Sequence, residues 1–305
     1  MNLLLPFLRL IRWPNLVFIA LTQALFYFCI YLPLYHQQQT AKAVLLMLAS
    51  VFIAAAGYII NDYFDVNIDR INKPEKNVVD RAIHRRWAII WHLVLSLAGI
   101  VLTAFAVRLH YWYLIVANLG CVALLWFYST SFKRQLLVGN LVISLLTAWT
   151  ILVFFFAFSN PSHAFNTPDP LSVKFFRLAF LYAGFAFVIS LVREAIKDME
   201  DLEGDARYGC KTLPVVAGIR TTKTYTAVWL VVLIATLTVL QFYVLQFGWW
   251  PSVVYAFLRV ILPLLLALKK LRGATSKEDY AALSKQTKNI MLSGILSMIF
   301  FAIYF

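Results

Sequence analysis

Residues 43–62 read AVLLMLASVFIAAAGYIIND, a stretch in which no charged side chain occurs before Asp62. A helix of about 20 residues crosses the roughly 30 Å hydrocarbon core of a lipid bilayer. An apolar stretch of this length therefore predicts a membrane-spanning helix. Asp62 at its end predicts a polar site near one membrane surface.

Eight further apolar runs of similar length lie on either side of this stretch. No Gly/Ser-rich linker or low-complexity tract divides them, so the sequence predicts a single polytopic domain over residues 1–305. The nine predicted spans are 14–35, 43–62, 87–107, 111–130, 136–158, 174–194, 224–246, 250–268 and 288–305.

The composition agrees with a membrane protein. Hydrophobic residues make up 62% of the chain and charged residues only 13%. A soluble domain would have about a quarter charged residues, so a soluble enzyme and a disordered chain are both excluded. The net charge of +13 does not indicate a nucleic-acid partner, because basic residues of membrane proteins normally report topology. The three cysteines and five histidines lie far apart in sequence, unlike a disulfide framework or a zinc site.

The distribution of the basic residues predicts the orientation. Of the 27 lysines and arginines, 22 fall on one side of the nine predicted spans, with Lys285 and Lys288 of the eighth connection among them. By the positive-inside rule that side is cytoplasmic. We therefore expect an integral protein of the cytoplasmic (inner) membrane, with its N-terminus inside and its C-terminus outside.

Nine of the 14 acidic residues fall in two short segments on this cytoplasmic side. Residues 61–69 read NDYFDVNID at the end of the second predicted span, and residues 194–205 read EAIKDMEDLEGD at the end of the sixth. At about 100° per residue, helical positions three or four apart share one face. Asn61, Asp65 and Asp69 should therefore face one way. The second segment should present a similar stripe on one helix, made of Glu194, Asp198, Asp201 and Asp205.

Either segment alone would also fit a solvated helix end, where acids and bases pair at i, i+4. Two acidic stripes at the same membrane surface, however, would repel each other unless cations lie between them. Hard oxygen ligands at the mouth of a cavity suit Mg²⁺, which takes one or two carboxylates together with substrate phosphates and waters. Since ionisable groups at the ends of membrane helices normally mark function, the pattern predicts a magnesium site.

Acidic helices with Mg²⁺ make a receptor for a diphosphate, and the many Phe, Tyr and Trp residues offer an apolar interior. A substrate with a diphosphate head and a hydrocarbon tail would fit both, which indicates an isoprenyl diphosphate. Metal ions would stabilise the departing diphosphate while a nucleophile captures the allylic carbocation. Nearby cations would hold the phosphate oxygens, and the candidates are Arg70, Lys73, Arg193 and Lys197.

These segments resemble the two signatures of the UbiA superfamily of intramembrane prenyltransferases. The first matches NDxxDxxxD at residues 61–69, and the second matches KDxxDxxxD at residues 197–205. RWPN at residues 12–15, and Tyr128 with Lys133 after the fourth predicted span, extend the resemblance over essentially the whole chain. The family implies an all-α membrane protein, a bundle of nine transmembrane helices around a central cavity that opens toward the cytoplasmic side.

The resemblance also implies roles for individual residues. Two Mg²⁺ would be bridged by the diphosphate, and Lys133 would contact that group. The implied catalytic residues are Asp65, Asp198 and Lys133. The implied substrate-binding residues are Asn15, Tyr128 and Glu194. The implied metal ligands are Asn61, Asp62, Asp65, Asp69, Asp198, Asp201 and Asp205.

The second acidic segment, with KTLPV at residues 211–215 beyond it, is similar to the family branch that prenylates geranylgeranylglyceryl phosphate in ether-lipid synthesis. Branches that act on 4-hydroxybenzoate or dihydroxynaphthoate, in ubiquinone or menaquinone synthesis, are the alternative for the acceptor. Many members follow the first signature with Arg-Pro-x-x-Ser-Gly, whereas residues 75–81 here read EKNVVDR. We therefore do not assign to residues 75–81 the diphosphate or acceptor contacts that the family would place in this loop.

A cation-coupled membrane transporter is the alternative of a different class, because transporters also use intramembrane carboxylates. They usually place these groups near the bilayer midplane, on interrupted helices and in repeated halves. Here the acids lie at helix ends, and the two segments are only loosely alike. We therefore expect a Mg²⁺-dependent prenyltransferase. Its partners would be a prenyl diphosphate donor, a small lipid-precursor or aromatic acceptor and the lipid bilayer.

Overall fold

The apolar stretch at residues 43–62 and the acids that follow it belong to one long helix, Thr40–Asn72, in the computed structural model. The structure describes residues 4–72, 78–79, 82–107, 111–159 and 169–305. Within these ranges the regular secondary structure is helical, and the β-type pairing is limited to an isolated bridge between Val79 and Ile83.

Nine helical segments of the described residues are long and apolar enough to cross a membrane, which confirms the predicted number of spans. These spans are Trp13–Tyr35, Thr40–Ile71, Arg85–Val107, Trp112–Thr130, Val138–Phe158, Pro170–Glu200, Leu213–Leu245, Trp250–Gly273 and Lys277–Tyr304. Short helices cover Leu4–Leu10 and Leu202–Arg207, and a 3₁₀ turn covers Phe132–Arg134. The chain is therefore an integral membrane protein.

The ninth span begins earlier than its hydropathy predicted, because its first turns are charged. Its helix starts at Lys277, where a capping box fixes the end. The Asp279 N–H donates to Ser276 Oγ at 3.2 Å, and the Ser276 N–H donates to Asp279 Oδ2 at 3.0 Å. The prediction that Lys285 and Lys288 belong to the eighth connection is therefore wrong, since both lie inside this helix.

The second acidic segment does not lie on one continuous helix. The sixth span ends at Glu200, and a separate short helix covers Leu202–Arg207. Asp201 between them departs from helical geometry, with φ −96° and ψ 8°, and its N–H bonds to the Lys197 carbonyl. The prediction that these acids lie on one helix is wrong, because a regular spacing of acids does not show where a helix ends when neither proline nor glycine marks the point. Their predicted common orientation agrees with the structure, since all four line one cavity.

An aromatic cluster closes the bundle at the end opposite the acids. Ring centroids of Tyr31 and Phe158 lie 4.6 Å apart, and those of Tyr27 and Tyr31 lie 5.5 Å apart. Burying such a ring stabilises the fold by roughly 1.5–3 kcal/mol. The fully buried rings come from the first, fifth and sixth spans, and they are Phe26, Tyr27, Tyr31, Phe154, Phe155 and Phe175. This packing leaves the interior open toward the acidic end.

Candidate active site

A cavity of about 1130 Å³ lies between the spans and reaches the acidic end of the bundle. Ligand pockets are typically about 300–1,000 Å³, so this one has room for an extended substrate. Arg70 is exposed and is not part of the wall, and Lys73 lies outside the described residues, as does most of the 75–81 stretch. The wall brings together the other predicted residues: Asn15, Asn61, Asp62, Asp65, Asp69, Tyr128, Lys133, Arg193, Glu194, Lys197, Asp198, Asp201 and Asp205.

The first acidic segment is paired with a lysine from the connection after the fourth span. Lys133 Nζ donates to Asp65 Oδ1 at 2.5 Å and to Asn61 Oδ1 at 3.4 Å. The Asn61 amide also donates to Asp65 Oδ2 at 2.8 Å, one helical turn away. The side chains of Lys133 and Asp65 are only 11% and 15% exposed, so water screens this charge-assisted bond weakly.

The backbone around Lys133 is held by close packing. A Cβ at Gly139 would lie 2.8 Å from Lys133 Cα, so only glycine permits this approach of the fifth span. The next residue, Arg134, accepts a hydrogen bond from the Lys211 N–H at 2.8 Å. The connection that carries Lys133 is therefore fixed both to the fifth span and to the chain that follows the second acidic segment.

The second acidic segment has its own polar partners. Asn140 Nδ2 donates to Asp198 Oδ2 at 2.8 Å. Glu194, which is 7% exposed, accepts from Lys197 Nζ at 2.9 Å and from Arg193 at 3.2 Å. Sequence reasoning missed Asn140. It could have been selected because it is the single amide side chain in the predicted span 136–158.

Arg12 occupies a strained position at the entrance to the first span. Its backbone is left-handed, with φ 51° and ψ 51°, a conformation that costs a non-glycine residue about 1–3 kcal/mol. Its guanidinium lies 2.5 Å from Asp62 Oδ1 and 5.3 Å from the centre of the Tyr58 ring. Asp62 was predicted as a metal ligand, and here it has a competing partner within the protein.

Burial and nearby charges shift the pKa values of two groups outside the spans, Arg12 and Cys210. Burial by itself would lower the pKa of the Arg12 guanidinium, but the charge and hydrogen bond of Asp62 outweigh burial and raise it. Burial raises the pKa of the Cys210 thiol, and the nearby charge of Asp205 adds to that rise. Arg12 is therefore a permanent cation. Cys210 lines the cavity, and its raised pKa disfavours the thiolate form.

The donor set fits a magnesium site that the substrate helps to complete. Among the described residues, no group of three or more His, Cys, Asp or Glu side chains is gathered closely enough to hold a metal by itself. Mg²⁺ commonly binds through one or two carboxylates together with substrate phosphates. The amide oxygen of Asn61 and the carboxylates of Asp65 and Asp198 offer such ligands on two walls of one cavity.

Comparison with known sequences gives a family and named relatives. The sequence model for the UbiA prenyltransferase family matches residues 14–293. A digeranylgeranylglyceryl phosphate synthase of Sulfurisphaera tokodaii is 33% identical over 262 residues, which are 86% of this chain and 85% of that protein. The similarity to this branch agrees with the interpretation of the second acidic segment.

Two solved structures share the fold. One, from work on digeranylgeranylglyceryl phosphate synthase in membranes, superimposes with a TM-score of 0.66 at 24% identity and covers 100% of both chains. The other is a UbiA homologue from Archaeoglobus fulgidus bound to GPP and Mg²⁺. It has a TM-score of 0.61 at 17% identity and covers 96% of this chain and 99% of that one. The predicted nine-helix bundle around a central cavity is confirmed.

Proposed function

Because this chain belongs to the UbiA prenyltransferase family, it is a membrane-embedded prenyltransferase, and we propose that its acceptor is geranylgeranylglyceryl phosphate. The name of the Sulfurisphaera tokodaii relative supports this acceptor over 4-hydroxybenzoate and dihydroxynaphthoate. The observation that carries prenyl transfer is one cavity with acids on two walls, in which Lys133 is bound to Asp65 of the first acidic segment.

The proposed reaction joins a prenyl group to an alcohol. The bond between prenyl C1 and the diphosphate oxygen breaks, and the diphosphate keeps the electron pair. A hydroxyl oxygen of the acceptor forms the new C–O bond, and the hydroxyl proton is released. The products are an ether lipid, diphosphate and a proton, so no oxidant or reductant is needed.

We propose that Mg²⁺ is held by the two acidic segments, and the Archaeoglobus fulgidus homologue bound to GPP and Mg²⁺ supports the choice of metal. The bound metal would stabilise the negative charge that develops on the departing diphosphate. The proposed ligands are Asn61, Asp62, Asp65, Asp69, Asp198, Asp201 and Asp205. Asp62 would have to exchange its ion pair with Arg12 for this role.

The lysines and arginines of the wall would bind the diphosphate oxygens. Lys133 is placed for this role because its ammonium group already lies among the oxygens of Asn61 and Asp65. Lys197 is its counterpart on the sixth span, next to Glu194. Such donors act strongly in a site from which water is excluded, because they need no reorientation as charge develops. Further proposed contacts are Arg193 for the diphosphate, and Asn15, Tyr128 and Glu194 for the substrate. Arg70, which does not line the cavity, is no longer proposed as a diphosphate contact, and Lys73 lies outside the described residues.

We also propose that the acidic end of the bundle faces the cytoplasm, with the N-terminus on the same side and the C-terminus outside. The excess of basic residues at that end supports this orientation. The family match over residues 14–293 supports a single prenyltransferase domain, since one cavity is lined by residues from both ends of that range.

The test offers three acceptors to the purified protein in parallel. Labelled geranylgeranyl diphosphate and Mg²⁺ are incubated with geranylgeranylglyceryl phosphate, 4-hydroxybenzoate or dihydroxynaphthoate, and prenylated products are separated by chromatography. We expect product from geranylgeranylglyceryl phosphate alone, and none when Mg²⁺ is chelated. Preferential use of an aromatic acceptor would overturn the proposed acceptor.

The metal ligands are tested in the same assay. Asp198→Asn should reduce prenyl transfer by at least about 10²-fold, because it weakens stabilisation of the leaving group, while the melting temperature stays within a few degrees. Glu278→Ala, an exposed acid in the first turn of the ninth span, is the matched control and should keep full activity. Near-normal turnover in Asp198→Asn would contradict the metal site.

A further inference from the structure

Lys288 lies in the fourth turn of the ninth helix and lines the cavity. It is 11 residues beyond the start of the helix at Lys277, which places it about 17 Å along the helix axis. Its Nζ donates to Asn15 Oδ1 at 2.7 Å and lies 4.9 Å from the centre of the Phe18 ring. The side chain is therefore held at the cavity wall by residues near the start of the first span.

Lys288 differs from the other partly buried cations of the cavity wall. Within the described residues, Arg12 pairs with Asp62 and Lys133 with Asp65, while Arg193 and Lys197 share Glu194. None of the ion pairs in this part of the chain includes Lys288. A partly buried charge without a counter-ion costs free energy, so this position suits an anionic ligand.

Arg193 strengthens the case for an anion at this wall. It lines the same cavity as Lys288, so two cationic side chains are present at this cavity. The Arg193 Nε atom is buried and has no hydrogen-bond acceptor in the protein. A buried donor without an acceptor is rare, and an anionic oxygen bound in this cavity would give Arg193 Nε an acceptor.

We propose that Lys288, positioned by Asn15 in the cavity that Arg193 also lines, binds the phosphate group of the acceptor. This inference rests on the proposed function, since only a phosphorylated acceptor brings a second anion into the cavity. The diphosphate of the donor belongs between the acidic segments, where Lys133 and bound Mg²⁺ would compensate its charge. The wall around Lys288 offers cations and an amide, which suit a phosphomonoester that binds without metal.

The site would also orient the acceptor. A phosphate fixed at Lys288 anchors the glycerol, so its free hydroxyl group is held in the same cavity as the donor. The apolar tail would lie along the remaining wall. An aromatic acceptor without a phosphate would gain nothing from Lys288, which gives this residue a part in acceptor specificity.

The test separates the two substrates. Initial rates of Lys288→Met are first measured with varied geranylgeranylglyceryl phosphate at saturating geranylgeranyl diphosphate. They are then measured with varied geranylgeranyl diphosphate at saturating geranylgeranylglyceryl phosphate. We expect the KM for the acceptor to rise about tenfold or more, because a charge-assisted bond is lost, while the KM for the donor stays within twofold. Lys269→Met, an exposed lysine of the eighth span that does not line the cavity, is the control and should change neither value.

A second arm uses geranylgeranylglycerol, which lacks the phosphate. The wild-type protein should use it less well than the phosphate ester, and Lys288→Met should remove most of that difference. Lys288→Arg should preserve the preference, which distinguishes loss of binding from loss of folding. Without donor or Mg²⁺, geranylgeranylglyceryl phosphate should raise the melting temperature of the wild type but not of Lys288→Met.

Each result decides the inference. An equal rise of both KM values would assign Lys288 to the diphosphate and overturn it, and so would unchanged kinetics. If the wild-type protein made no product from geranylgeranylglyceryl phosphate, the proposed function itself would fail, and that failure is visible before any variant is compared.

Discussion

Lys133 Nζ lies 2.5 Å from Asp65 Oδ1, although the two residues are 68 positions apart in sequence. The same ammonium group lies 3.4 Å from Asn61 Oδ1, so it contacts two residues of the first acidic segment. This single cation offsets part of the negative charge of that segment. Under the proposed function, this ammonium group would also contact the diphosphate of the donor.

Replacement of Lys133 should therefore impair the chemical step. We expect Lys133→Met to lower kcat/KM for the prenyl diphosphate by about 10²–10³-fold, the usual effect of removing a group that stabilises developing charge. Steady-state rates with varied donor measure this. The neighbouring Arg134→Met, which removes an exposed charge, should stay within a few-fold of the wild type. Equal losses in both variants would show that general charge and not Lys133 itself is responsible.

Gly139 should matter although it carries no functional group. In Gly139→Ala the added Cβ would lie 2.8 Å from Lys133 Cα, so the connection that carries Lys133 has to move. A displacement of this kind far from any reacting atom is expected to cost about 10²-fold in turnover.

Gly184→Ala is the matched control, because nothing lies within 4 Å of the added methyl group. Alanine is favoured over glycine in helices by about 1 kcal/mol, so this variant should melt at or above the wild-type temperature with unchanged turnover. Full activity in Gly139→Ala would mean that the position of Lys133 tolerates movement.

Asn140 is expected to position Asp198 for the metal. Its amide donates to Asp198 Oδ2 at 2.8 Å, and loss of such an outer partner typically weakens metal binding by about 10–100-fold. Asn140→Ala should raise the Mg²⁺ concentration needed for half-maximal turnover by that factor. The control is Asn289→Ala, an exposed amide on the ninth span. An unchanged Mg²⁺ requirement would remove Asn140 from the site.

Cys210 should be unreactive at mildly alkaline pH. Burial and the charge of Asp205 raise its pKa, so at pH 8 it holds less thiolate than a free cysteine, whose pKa is about 8.5. Alkylation by iodoacetamide, followed by mass spectrometry of the Cys210 peptide, should be at least about tenfold slower than in the urea-unfolded chain. The rate should increase as the pH rises. Equally fast labelling of folded and unfolded protein would refute the shift, and Cys210→Ser should retain turnover.

The sequence predicted the parts of this molecule that depend on local pattern. Hydropathy placed nine spans, and spacing put Asn61, Asp65 and Asp69 along the end of the second helix. It misplaced the start of the ninth helix, because the charged residues after Lys277 lower the hydropathy while a capping box sets the true end. It also missed the break in the helix at Asp201, because neither a proline nor a glycine lies at that point.

The sequence by itself thus determined a helical membrane protein with acids gathered at one end, because hydrophobicity and helical period act between near neighbours. Only the tertiary structure decided which polar side chains contact each other. Arg12 with Asp62, Asn140 with Asp198 and Lys288 with Asn15 are 50, 58 and 273 residues apart. Such pairs form where separate spans pack against each other, and no local pattern encodes that arrangement. For the same reason, no sequence motif indicated the position of Lys288. Only the structure shows that it lines the cavity and forms no ion pair with a carboxylate of the described residues.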